Sequence, residues 1–281
     1  MPQLIRIINI LKPKLLSMKG FISKIQFFLV FLFPVQVLYA TDAWFTTGAR
    51  SFSLGNIRAA GDEWLNPATI SFTERKHLSL SVFNHFQMSE LNTVNLSFAC
   101  PNKYLDAGLL FSTFGYEDYR ITQLQSSFSK NIIPDLSIGI QLNYRNTKSR
   151  WEEDSQAGFS SGLGIYYRLG KRVDLALLGE NLLCFSWKEM WRWQAGLQYQ
   201  VSESVNVFAE IGYNKEKVFR FSVGMEYAIL EQFYIRSGYD SMHGMPSFGV
   251  GYGWNRWQVD VGFSFHSVLG MSSVIGVKYR L

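Results

Sequence analysis

Residues 257–265 read WQVDVGFSF. Trp257, Val259, Val261, Phe263 and Phe265 alternate with Gln258, Asp260, Gly262 and Ser264, and a period of two is the side-chain period of a β-strand. One face of this strand is apolar and the other polar. Similar runs recur outward from it over residues 77–281, each near the ten residues with which a tilted strand crosses a bilayer. The spans are 77–86, 91–99, 104–114, 118–129, 135–146, 157–169, 172–180, 190–200, 204–213, 217–228, 231–240, 246–254, 256–265 and 271–281, fourteen in all. The fourth and sixth alternate least, and without them the count is twelve.

In a soluble sandwich the polar faces would meet water. Here the apolar faces end in aromatic residues: Tyr144, Tyr166, Trp191, Trp193, Tyr199, Tyr213, Tyr227, Tyr252, Trp254 and Trp257. Amphipathic rings at strand ends are the interfacial girdles of a membrane barrel, so the apolar face is expected to meet lipid and the polar face to line a lumen. Lipid-facing sets include Leu136, Ile138, Ile140 and Leu142, and Ile275, Val277, Tyr279 and Leu281. The fold expected is all-β: a transmembrane, antiparallel, up-and-down β-barrel, multi-pass in an outer membrane.

Composition fits. The 281 residues are 47% hydrophobic and 16% aromatic, with a mean hydropathy of zero. A helical membrane protein would be far more apolar, whereas alternating strands average to neutral. The net charge of +5 is scattered, and five of the basic residues (Arg6, Lys12, Lys14, Lys19, Lys24) precede the strands, so no nucleic-acid partner is expected. Cys100 and Cys184 are too few for a disulfide framework. His77, His85, His243 and His266 do not cluster, and CxxC and HExxH spacings are absent, so neither metal nor cofactor is expected.

Residues 25–40, IQFFLVFLFPVQVLYA, follow Lys19 and Lys24 and end in Ala40, the n-region, h-region and small residue of a signal peptide. Met18 is the expected start. The domain reading is a signal peptide at 1–40, a segment without alternation at 41–76, and the barrel at 77–281.

An even strand count puts both barrel ends on the periplasmic side. The connections there, at Gly170-Lys171, Ser202-Glu203, Leu230-Glu231 and Asn255-Arg256, are tight, and the longer ones (147–156, 181–189, 241–245) fall outside. The polar faces carry charges of both signs, among them Arg145, Arg192, Glu210, Arg220, Glu226, Arg236 and Asp260. They read either as ion pairs stiffening the interior or as a polar path.

The segment TTGARSFSLGNIRAAGDEWLNPATISF, residues 46–72, resembles the N-terminal signature of the long-chain fatty-acid transporter (FadL) superfamily, nearest the Bacteroidetes PorV/PorQ type. Gly48, Ala49, Arg50, Leu54, Gly55, Ala59, Asp62, Asn66, Pro67 and Ala68 carry the match, and Asn56 stands where a second glycine is usual. The resemblance implies a fourteen-stranded barrel with the N-terminal segment folded into the lumen as a hatch. The residue types suit a plug: Gly48 and Gly55 permit sharp turns, Pro67 fixes a bend and Asn66 can close an Asx turn. The string Asn66-Pro67-Ala68 also reads as a plain turn into the first strand.

Two functions follow from the resemblance. One is a type IX secretion accessory or protein-docking barrel, whose partners would be secreted proteins or secretion-system components; the short external loops favour it. The other is a FadL-like channel for small hydrophobic ligands. Both sit in outer-membrane lipid of a Gram-negative cell. No GxSxG pattern occurs, so an enzyme is not expected, and a lipid esterase or deacylase built from rim residues is a remote alternative.

Overall fold

The computed structural model describes residues 48–61, 64–151, 156–186, 191–242 and 244–281. The signal-peptide reading at 1–40, and with it Asp62 and His243, lies outside the described residues.

The strands are β1 (His77–Asn84), β2 (Asn92–Cys100), β3 (Asp106–Gly115), β4 (Tyr119–Ile133), β5 (Leu136–Ser149), β6 (Gln156–Leu169), β7 (Val173–Phe185), β8 (Arg192–Ser202), β9 (Val205–Asn214), β10 (Phe219–Leu230), β11 (Phe233–Asp240), β12 (Met245–Trp254), β13 (Trp257–His266) and β14 (Gly270–Arg280). Each pairs antiparallel with its neighbours in sequence, and β1 pairs with β14 from His77↔Arg280 to Asn84↔Ser273, closing the barrel. Closure leaves no sheet edge, so every backbone group along the wall has a partner strand. The count is fourteen, and the two strands with the least regular alternation are among the longest, β4 at 15 residues and β6 at 14.

One end of the barrel carries connections of two residues at 134–135, 203–204, 231–232 and 255–256. We call it the turn end; β1 begins and β14 finishes there. Asn255, with φ 52°, and Gly170, with φ 71°, supply the left-handed residues that such reversals need. The loop end is connected by 3 residues at 116–118 and 267–269 and by up to 7 at 85–91. Two of the expected loops are partly strand. Residues 147–149 continue β5, with Thr147 opposite Gln156, and 181–185 continue β7, with Leu183 opposite Ser161. The second extension was hidden because alternation breaks there: two steps on β6 (Ser161 to Leu163) face four on β7 (Leu183 to Gly179), a bulge with Asn181 at φ 54°.

The outward face is apolar. Ile140, Leu142, Ile211, Phe219 and Ile275 are each about half exposed or more, an area no soluble monomer leaves in water and the arrangement that lipid covers. Rings flank it at both ends, as at Tyr144–Phe159 (5.0 Å) and Trp257–Tyr279 (4.6 Å). Tyr166 is not among them. It points inward, is buried, and donates its hydroxyl to Asp174 at 2.9 Å. The inward face is less polar than its composition implies, since Phe83, Leu110, Phe114, Ile121, Phe208 and Val274 are buried on it.

Candidate functional site

The interior is occupied by residues 48–76. A short helix α1 (Ala49–Ser53) packs against β11–β14, and a 3-10 turn (Pro67–Phe72) packs against β3–β6. Between them Leu54, Ile57, Ala59, Leu65 and Ala68 form a dry core with Ala176, Leu178 and Phe208 of the wall. The segment is thus held like the inside of a globular domain, by burial of its own apolar residues.

Its seat is made of glycine. In five successive strands, β10 to β14, one inward position is Gly224, Gly238, Gly249, Gly262 or Gly276, and side chains there would meet Leu54, Gly55, Ser53 or Ala49. On the opposite wall, Gly139 and Gly164 face Pro67 and Asn66. Gly55 is itself left-handed (φ 77°), and an added Cβ would strike the backbone of Tyr239 and Val223. Backbone packs on backbone here, which any side chain would prevent.

Charge and hydrogen bonds then lock the segment. Arg50 forks onto Glu226, with Nε–Oε2 and Nη2–Oε1 both at 2.9 Å, and its Nη1 donates to the Gly61 carbonyl. Glu226 also accepts from Arg236 Nε at 2.6 Å, and Arg236 Nη1 reaches Asp260 Oδ1 at 2.5 Å. Glu210 accepts the backbone N–H groups of Arg58 and Ala59 at 2.8 and 2.6 Å, while Arg220 bridges Glu210, Asp240 and the Asn56 carbonyl. Arg58 Nη2 meets Glu180 Oε1 at 2.6 Å, and Arg192 lies 3.8 Å from the same carboxylate. Such forked, charge-assisted pairs hold direction as well as distance, and their mutual pairing is what makes buried charge tolerable.

The motif residues hold this arrangement from within. Gly48 precedes α1, Ala49 sits against Gly276, and Asn66 caps the 3-10 turn by accepting from Ala68 N (3.1 Å) while donating to Ala59 O (2.8 Å). Pro67 opens the turn beside Gly139, and Ala68 is fully buried. Glu210 with Arg220 and Glu226 with Arg236 are brought together, as are Arg192 and Asp260 with their neighbours. Arg145 stands apart on β5, between Gln123 and Gly158. Arg58 and the serine pair Ser53/Ser247, in which Ser247 Oγ donates to the Ser53 carbonyl and accepts from Gly55 N, carry no signal in single-strand periodicity. The glycine seat does carry one: an inward glycine on strand after strand.

At the loop end, an aromatic cluster closes the β1–β3 side. Phe52 meets Phe83 edge-on at 5.7 Å, Phe83 stacks on His85 at 6.1 Å, and His85 meets Phe114 at 6.1 Å. Among the described residues no His, Cys, Asp and Glu group is placed to hold a metal ion, and Cys100 and Cys184 are free thiols.

No family model matches the sequence, and no curated protein does. Solved structures do. The Pseudomonas putida toluene transporter TodX superposes with a TM-score of 0.62 at 14% identity, over 83% of this chain and 98% of that one. The CymD monoaromatic hydrocarbon channel gives 0.64 at 13% identity, over 86% and 99%. A Pseudomonas aeruginosa FadL homologue gives 0.59 at 11%, over 83% and 98%. At such identities the likeness is one of fold.

Proposed function

We propose that this chain is an outer-membrane channel of FadL type that passes small hydrophobic molecules. The observation that carries the reading is the buried inward cluster Phe52, Phe83, His85 and Phe114 at the loop end, an apolar foothold inside a barrel whose other walls are polar. The fold likeness to channels described as passing toluene and other monoaromatic hydrocarbons supports it. The seated segment 48–76 is then the plug that keeps the barrel from leaking polar solutes. The test is uptake of labelled toluene by Gram-negative cells stripped of their own hydrocarbon channels and expressing this barrel. Uptake several-fold faster than with empty vector is expected; equal uptake rejects the passage.

One observation favours a second reading. Loop-end connections of at most 7 residues leave a shallow rim, which suits docking of a protein, as in a PorV/PorQ-like secretion accessory. Stoichiometric recovery of a secreted protein from the native membrane would select that reading, and recovery of the barrel alone would remove it.

A further inference from the structure

Two cavities adjoin at the turn end, below the plug. The inner one, about 230 Å³, is bounded by Trp64 and Phe72 of the segment and Tyr166 of β6, and by Ser79, Gln258 and Lys278 of the adjacent strands β1, β13 and β14. The outer one, about 560 Å³, is lined by Thr73, Glu74, Arg75, His77, Asn255, Lys278 and Arg280. Thr73 and Lys278 line both, so the outer cavity is the mouth of the inner.

We propose that the inner cavity binds a small aromatic carboxylate, a single ring bearing one acid group. Ring chemistry comes first. Phe72 and Tyr166 lie 5.3 Å apart at 49°, and the Arg168 guanidinium, 4.0 Å from the Phe72 centroid, holds that ring in place. A dry cavity of about 150 Å³ accommodates one benzene ring, so this volume leaves room for an acid group as well.

Charge decides the rest. The two cavities present Arg50, Arg75, Lys278 and Arg280 against Glu74 and Asp260, four cations to two carboxylates. The paired groups behind them, Glu226 on Arg50 and Arg236 on Asp260, add one of each sign and leave the excess unchanged. A concave site of one sign in low-dielectric walls concentrates the opposite ion. Arg280 Nη2 donates to Gln258 Oε1 at 3.0 Å, which steadies the guanidinium beside the seam between the cavities. Ser79 Oγ is buried in the inner cavity without a hydrogen-bond partner, a donor that a carboxylate oxygen would satisfy.

The inference rests on the passage reading, in which this cavity is the last station before the periplasm, but binding is measured separately from uptake. The full chain in detergent micelles is titrated with 4-fluorobenzoate and with its neutral analogue 4-fluorobenzyl alcohol, read by ¹⁹F NMR. Arg75→Gln/Arg280→Gln is compared after its heat-modifiable gel mobility has shown that it folds; Arg75→Gln alone, outside the strands, is the second variant. Expected are tighter binding of the acid by about tenfold, a fall of about tenfold in the double variant, and weakening with salt. Equal affinity for acid and alcohol, or an unchanged affinity in the folded variants, overturns the site. Absence of acid binding with toluene uptake intact overturns the site alone, whereas absence of uptake with acid binding intact overturns the passage and leaves the site.

Discussion

At Gly238 an added Cβ would land on the backbone of Leu54 and Gly55, whereas at Gly253, one strand away, it would meet nothing nearer than the Gln232 carbonyl at 4.0 Å. The same substitution therefore has two outcomes. Gly238→Ala should lower stability by about 1–3 kcal/mol through overpacking, while Gly253→Ala should stay within about 0.5 kcal/mol. Urea midpoints in micelles decide; equal midpoints would mean the segment is not seated on this wall. His85 supplies a pH effect. Burial lowers its pKa from 6.5 to about 4, and its Nε2 lies 3.0 Å from Thr93 Oγ1. Above pH 6.5 the ring is neutral folded or unfolded. As pH falls from 6.5 toward 4 the unfolded chain takes up a proton that the folded one refuses, so stability drops by about 1.4 kcal/mol per unit. Between pH 7 and pH 5 the loss should be smaller by about 2 kcal/mol in His85→Phe than in the parent, read from urea midpoints at the two pH values.

Strands are where the sequence spoke most clearly, and where it stopped is instructive. Period-two alternation located each of the fourteen strands, because outward side chains must be apolar in lipid and inward ones need not be. It lost the end of β7, where the bulge at Asn181 turns two consecutive residues, Glu180 and Asn181, inward. It also located Glu210 near Arg220 and Glu226 near Arg236, since cross-strand neighbours follow from hairpin register, but not the reach of Arg58 to Glu180 across 122 residues. Long-range pairing of that kind has no local pattern. The network does predict which link matters. Arg236, with its side chain 1% exposed, joins β11 to Glu226 on β10 and Asp260 on β13. Arg236→Met strands two buried carboxylates and should cost about 3–5 kcal/mol, while Arg150→Ala, whose partner Asp118 sits in a pair 74% exposed on the arginine side, should cost under about 0.5 kcal/mol. Chemical denaturation of both variants, run side by side, checks the contrast; an Arg236 variant as stable as Arg150→Ala would show the network to be ornamental.

On the scale of the whole molecule, the barrel and the segment it encloses make one structure. The wall is lined with glycines because the segment is there, and the segment's arginines Arg50 and Arg58 end on wall carboxylates that wall arginines already hold: Glu226 by Arg236 and Glu180 by Arg192. That last feature sets what removal of the segment would do. Excising residues 48–72 takes away two cations and the apolar core at mid-height, yet leaves Glu226, Asp260, Glu210, Asp240 and Glu180 each beside a wall arginine. The fourteen-strand ladder, which draws its hydrogen bonds from neighbouring strands alone, remains complete. The excised variant should therefore still insert and show a heat-modifiable band, with its glycine-lined lumen now filled by water. In a planar bilayer the parent should be electrically silent and the variant should conduct. A conducting parent would mean that the segment does not block the lumen, and a folded variant that stays silent would mean that the wall closes without it.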